Sequence, residues 1–111
     1  MNYDKQKPLS KDIIYNINRN LFRIKQLYTY PQNETHWEVV FNVDMPYEVS
    51  RNRDDNDKAN VWEVYKIEND VGEYTRDFKE ENIEEAVKLC YERHIKCLKS
   101  EVNDIEKMLN K

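Results

Sequence analysis

The feature that most constrains the fold is the length of the helical pattern near the C-terminus. Residues 82 to 109 keep apolar side chains at intervals of three and four, with no glycine or proline. A helix of about 28 residues is about 42 Å long, whereas a strand of about eight residues spans only about 26 Å. A sheet of such strands cannot cover the whole helix, so we expect part of it to require another partner.

The apolar stripe of this helix also changes face along its length. The first half carries Ile83, Val87, Cys90 and His94 on one side. The second half has heptad-type spacing, which is typical of a helix that packs against another helix. We predict that this second stripe is a seam, covered either by an N-terminal helix of the same chain or by a second copy in a homodimer. The predicted seam consists of Tyr91, Ile95, Leu98, Val102, Ile105 and Leu109.

The rest of the chain contains one further helical pattern and three alternating ones. Apolar residues at 14, 17, 21, 24 and 28 predict a helix over about 10–28. Strict alternation from Trp37 to Met45 predicts a strand over about 35–45. Two more strands are predicted over about 61–68 and 73–78, joined by a tight turn in which Gly72, the only glycine, takes a positive φ. Residues 50–60, rich in Asn and Asp, are expected to form an exposed loop.

Together these elements predict a single α+β domain over residues 1–111. Their order is α-β-β-β-α, with a three-stranded antiparallel sheet packed by the N-terminal helix and by a long C-terminal helix at about 82–110. A chain of 111 residues is long enough to bury one modest core. The sequence has no apolar run of about 20 residues and no secretory signal at its start, so we expect a cytoplasmic protein that does not enter a membrane.

Both cysteines lie in the segment CYERHIKC, residues 90 to 97, together with His94. On a helix the three side chains project to one side, but Cys90 and Cys97 are about 10.5 Å apart along the axis. That distance is too large for one zinc ion or for a disulfide within the helix. We therefore interpret the segment as helix core and predict no metal site. Burial of Cys90 on the apolar stripe also argues against a reactive thiol.

The sequence contains no motif that predicts catalysis. With one glycine in the chain, a backbone loop that cradles a phosphate is excluded. The acidic run Asp54-Asp55-Asn56-Asp57 lacks the glycine and the closing glutamate of a calcium-binding loop. We therefore predict a protein that is not an enzyme and needs no cofactor.

The distribution of charge is more informative. Residues 1–28 carry six basic and two acidic side chains, residues 29–82 carry six basic and fourteen acidic ones, and the remainder is balanced. Our first hypothesis is a phage- or mobile-element-type inhibitor that binds a basic or nucleic-acid-binding host or defence protein, because spaced carboxylates imitate phosphates electrostatically. The predicted contacts are Glu48, Asp54, Asp55, Asp57, Glu63, Glu68, Asp70, Glu73, Asp77, Glu80 and Glu81.

The alternative hypothesis is a small regulatory protein that binds nucleic acid through the basic N-terminal helix. Aromatic groups beside basic ones on a helix are typical of surfaces that stack on bases and contact phosphates. The predicted contacts are Lys11, Tyr15, Arg19, Phe22, Arg23 and Lys25.

Overall fold

The computed structural model describes residues 11–29, 34–51 and 61–110. Five strands form one antiparallel sheet in which each strand pairs with the next along the chain. A short helix precedes the sheet and a long helix follows it. The elements are α1 (Lys11–Tyr15), β1 (Phe22–Thr29), β2 (Glu34–Phe41), β3 (Tyr47–Arg51), β4 (Val61–Glu68), β5 (Val71–Lys79) and α2 (Ile83–Leu109).

The prediction of an α+β fold with a long C-terminal helix is confirmed, but the prediction of three strands is wrong. β1 replaces most of the N-terminal helix expected over 10–28, which ends at Tyr15. An asparagine-rich turn separates the two elements: the Asn20 amide donates to the side-chain oxygen of Asn18, and the Leu21 amide donates to the Asn18 carbonyl. Asparagine side chains compete in this way with helical hydrogen bonds, so the helix stops although the apolar spacing continues.

β3 is the second strand that the sequence did not predict. Ser50 and Arg51, expected to begin an exposed loop, are buried residues of this strand. The remainder of that predicted loop, residues 52–60, lies outside the described residues. β2 also ends at Phe41, short of the predicted Met45. The Asn42 side chain instead donates to the Arg19 carbonyl, which joins the chain before β1 to the end of β2.

The turn between β4 and β5 differs from the expectation for the single glycine. Glu68 pairs with Val71, so Asn69 and Asp70 form a two-residue loop. These two residues take positive φ angles of 53° and 64°, whereas Gly72 does not. Asn and Asp adopt this conformation more readily than other residues with a side chain, so the turn forms without glycine.

The core lies between one face of the sheet and the first half of α2. α2 contacts β3, β4 and β5, and its buried residues all precede position 91. The hydroxyl of Tyr91 donates to the Leu21 carbonyl, and its ring meets Phe41 edge to face with 5.8 Å between centroids. The buried apolar residues are Phe22, Val39, Tyr47, Val49, Trp62, Val64, Phe78, Ile83, Ala86, Val87 and Cys90.

Candidate interaction surfaces

The sheet has a second face, which carries a row of charged side chains. Successive residues of a strand point to opposite faces, so Glu63 points away from the core that its neighbours Trp62 and Val64 enter. We call the face opposite α2 the outer face. α1 lies on the α2 side, where Ile13 and Ile17 line a hollow with Ile83. Strand pairing aligns one residue from each strand across the outer face, in the order Lys25, Glu38, Ser50, Glu63 and Asp77.

A hydrogen-bonded tyrosine stands beside this row. The Tyr65 hydroxyl donates a hydrogen bond to Oε2 of Glu63. Glu63 is only 6% exposed. This hydrogen bond, with burial as a further cause, raises the pKa of Tyr65 to about 12. Tyr74 packs edge to face on Tyr65 with centroids 5.9 Å apart. Glu63 therefore orients the Tyr65 side chain through this hydrogen bond.

Gly72 packs closely against two side chains of this face. A β-carbon at position 72 would lie 3.3 Å from Cδ1 of Ile67 and 3.7 Å from the ring of Tyr65. The first distance is closer than ordinary van der Waals contact, so a side chain would displace Ile67. The glycine thus keeps the two strands close beside the tyrosine pair.

The acidic half of the outer face consists of Glu38, Glu48, Glu63 and Asp77, with Tyr65 and Tyr74 in the same cross-strand row as Glu48. Glu63 is buried, whereas the other three carboxylates are half-buried. Glu63 and Asp77 are direct cross-strand neighbours, an arrangement in which like charges destabilise a sheet. Glu48 is the cross-strand neighbour of Tyr65, and Glu38 is half-buried at the neighbouring strand. Glu38 was not among the residues predicted from the sequence, although its position in the alternating pattern of β2 was available as a signal.

The structure distributes the predicted acidic contacts over several places. Glu48, Glu63 and Asp77 belong to the outer face, whereas Glu68, Asp70 and Glu73 lie at or beside the β4–β5 turn. Glu80 and Glu81 belong to a single 3₁₀ turn before α2. Asp54, Asp55 and Asp57 lie outside the described residues.

Glu80 has a structural partner inside the protein. Nη1 of Arg51, a residue 1% exposed, lies 2.8 Å from Oε1 of Glu80. Burial lowers the pKa of Arg51 below its usual value, and Glu80 partly offsets that effect. The indole of Trp62 donates to the Glu80 carbonyl at 3.0 Å. The 3₁₀ turn is therefore tied to β3 and β4.

The predicted basic contacts do not share one helix. Lys11 and Tyr15 belong to α1, Arg19 lies in the following turn, and its guanidinium donates to the Tyr15 carbonyl at 3.5 Å. Phe22 is fully buried, so its ring cannot stack on a base. Arg23 and Lys25 are exposed on β1.

The second half of α2 extends beyond the sheet and presents the predicted seam to solvent. All residues from Ile95 to Asn110 are exposed. A shallow groove runs along this stripe, lined by Ile95, Leu98, Lys99, Val102, Asn103 and Glu106. Tyr91 differs from the other seam residues because it packs against its own sheet. An N-terminal helix of the same chain was one of the two expected partners of the seam. In the described residues this helix ends at Tyr15.

The two cysteines have opposite environments. Cys90 is fully buried, and this burial raises the pKa of its thiol to about 12, whereas Cys97 is exposed. Because the thiolate is the reactive form, we expect a disulfide-exchange reagent such as DTNB to modify one thiol per native chain at pH 8. A second thiol should react only after unfolding in denaturant. Cys97→Ser should abolish the native reaction, and rapid modification of two native thiols would contradict the buried position of Cys90.

In the described ranges, no three side chains of His, Cys, Asp and Glu lie close enough together to hold a metal ion. No helix of the described ranges has the length and apolar content to cross a membrane. Comparison of the chain with protein-family models, with curated proteins and with solved structures finds no significant match.

Proposed function

We propose that this protein is a non-catalytic interaction module whose acidic outer face binds a basic surface of another protein. The observation that carries the proposal is the placing of half-buried Glu38, Glu48 and Asp77 on one face of the sheet by three strands, around the buried Glu63 and beside two tyrosines. This arrangement combines negative charge with aromatic rings on a rigid platform. Arginine and lysine side chains are attracted by both groups.

Glu38 and Glu48 are the carboxylates expected to make the contact. Both are half-buried on neighbouring strands of the outer face, whereas Glu63 is buried and orients Tyr65. A basic side chain that docks beside Glu38 and Glu48 gains an electrostatic attraction that a neutral side chain does not.

The partner class that fits this surface is a protein whose basic site otherwise binds nucleic acid. Spaced carboxylates compete with phosphates for the same arginine and lysine side chains. On this proposal the protein is a cytoplasmic inhibitor of the phage or mobile-element type, which occupies such a site by nucleic-acid mimicry.

Removing charge from the outer face should weaken this binding. We expect the double variant Glu38→Gln, Glu48→Gln to lose at least about tenfold in affinity for the basic partner, because two carboxylates leave the contact while the shape is kept. The matched control is Glu68→Gln, Asp70→Asn, which removes the same charge at the β4–β5 turn. The measurement is a quantitative pull-down from nuclease-treated lysate of the source cell, followed by titration of the retained protein.

Three outcomes decide the proposal. The proposal is supported if the protein retains a nucleic-acid-binding protein and if short duplex DNA displaces that partner. The outer-face variant should then fail to retain the partner, and the turn variant should still retain it. Equal retention by both variants excludes the outer face as the contact. A gel shift of DNA or RNA by the purified protein at low salt, abolished by Arg23→Ala, Lys25→Ala, would support nucleic-acid binding through β1 instead.

A further inference from the structure

We propose that the exposed half of α2, residues 95–109, is the interface of a homodimer in which the two helices pack antiparallel. We call this segment the free half of α2. The interface consists of Leu98, Val102, Ile105 and Leu109, which belong to one heptad-spaced stripe. Leu98 of one copy lies opposite Leu109 of the other, and Val102 lies opposite Ile105. This inference does not rest on the proposed function, because the stripe and the outer face share no residues.

The free half of α2 is unusual for a helix that remains alone in water. It presents five large apolar residues on one side, and Val102 is 53% exposed. A separate helix of about 15 residues is only marginally stable. Pairing of two such stripes buries the apolar side chains of both, which stabilises the helix and removes the exposed patch.

Charges beside the stripe indicate that its partner is a second copy in antiparallel orientation. Lys99 and Glu106 lie on the same edge of the stripe, one heptad apart, and both border the shallow groove. In an antiparallel pair this edge faces its own copy, so Lys99 of each chain approaches Glu106 of the other. The two contacts are reciprocal, as two-fold symmetry requires. A parallel pair would instead bring Glu101 of each chain towards Glu106 of the other, which is repulsive.

Tyr91 determines how far the two helices overlap. Its ring packs on Phe41 and its hydroxyl bonds to the Leu21 carbonyl, so the sheet occupies the continuation of the stripe. A register in which Leu109 of the second copy reached Tyr91 would bring that copy against the sheet. It would also align Lys99 with Lys99 and Glu101 with Glu101. The register that pairs Leu98 with Leu109 avoids both conflicts, and the overlap spans about 14 residues or about 21 Å.

Sedimentation equilibrium of the full chain tests the dimer. An interface of this size is at the small end of specific interfaces, so we expect a reversible dimer with a dissociation constant in the micromolar range, on the order of 1–100 μM. Val102→Glu should raise the dissociation constant at least about a hundredfold, because each copy would bury an unpaired charge. Ser100→Glu adds the same charge on the opposite side of the helix and should leave the constant within about threefold.

Exchange of charges tests the orientation. Glu106→Lys should weaken an antiparallel dimer about tenfold, because two attractive contacts become repulsive. The double variant Lys99→Glu, Glu106→Lys should recover most of the loss. Tighter association of Glu106→Lys would overturn the antiparallel arrangement. A monomer at all concentrations up to about 1 mM, or a dimer that Val102→Glu leaves intact, would overturn the interface.

Discussion

Replacement of Glu80 by alanine is expected to lower the free energy of unfolding by about 1.5 to 3 kcal/mol. The guanidinium of Arg51 is held in the interior 2.8 Å from the Glu80 carboxylate. Loss of that carboxylate removes a charged hydrogen-bond partner of the buried guanidinium, so the desolvation cost of the positive charge is offset less well. Urea denaturation at pH 7, followed by circular dichroism, measures the change.

Glu81→Ala is the matched control for this prediction. Glu81 is the next residue of the same 3₁₀ turn and is exposed, so its replacement should change the free energy of unfolding by no more than about 0.5 kcal/mol. Glu80→Gln, which keeps a hydrogen-bond acceptor but removes the charge, should lie between the two. Equal denaturation midpoints for Glu80→Ala and Glu81→Ala would show that the ion pair does not stabilise the fold.

Replacement of Phe22 by alanine should also cost about 3 to 5 kcal/mol of the free energy of unfolding. The ring is fully buried in the core between the sheet and α2, and its removal leaves a cavity that the sheet can only partly close. The same variant separates a core role from a contact with nucleic acid. We expect Phe22→Ala to lower stability in thermal or urea unfolding and not to act through nucleic-acid affinity.

Tyr15→Ala provides the comparison, because this second aromatic residue of the predicted basic surface is 78% exposed. Its replacement should leave the free energy of unfolding unchanged within about 0.5 kcal/mol. If Phe22→Ala were as stable as Tyr15→Ala, the position of β1 at the start of the sheet would be wrong. The pair of variants therefore tests the element that differs most from the sequence-based expectation.

The sequence predicted the C-terminal part of the fold well because its local patterns are unambiguous. β4 has the predicted bounds, and β5 and α2 differ from prediction by one or two residues at their ends. For β1 the pattern is ambiguous, since Phe22 and Ile24 fit strand alternation while Leu21 and Ile24 fit helical spacing. The structure resolves the ambiguity through the Asn18 turn and through pairing with β2, and the pairing partner cannot be identified from a local window.

β3 and the outer face were missed for a related reason. Arg51 and Ser50 are polar residues at the edge of an asparagine-rich stretch, and local composition favours a loop there. Arg51 is buried and pairs with Glu80, which is distant in sequence. The row from Lys25 to Asp77 depends on the register of five strands, so the sequence indicated an acidic region but not which of its carboxylates share a face.

The first half of α2 packs on the sheet and is its anchored half, whereas residues 95–109 form the free half. This division has a consequence for avidity. In the antiparallel pair, the anchored segments point away from each other along a common axis. By helical rise, the two Val87 positions are then about 50 Å apart along that axis. The proposed dimer would be a rod with one sheet at each end, which would allow it to engage two sites on an oligomeric target at once. Bivalent attachment of this kind strengthens weak individual contacts only where the target repeats at a matching separation.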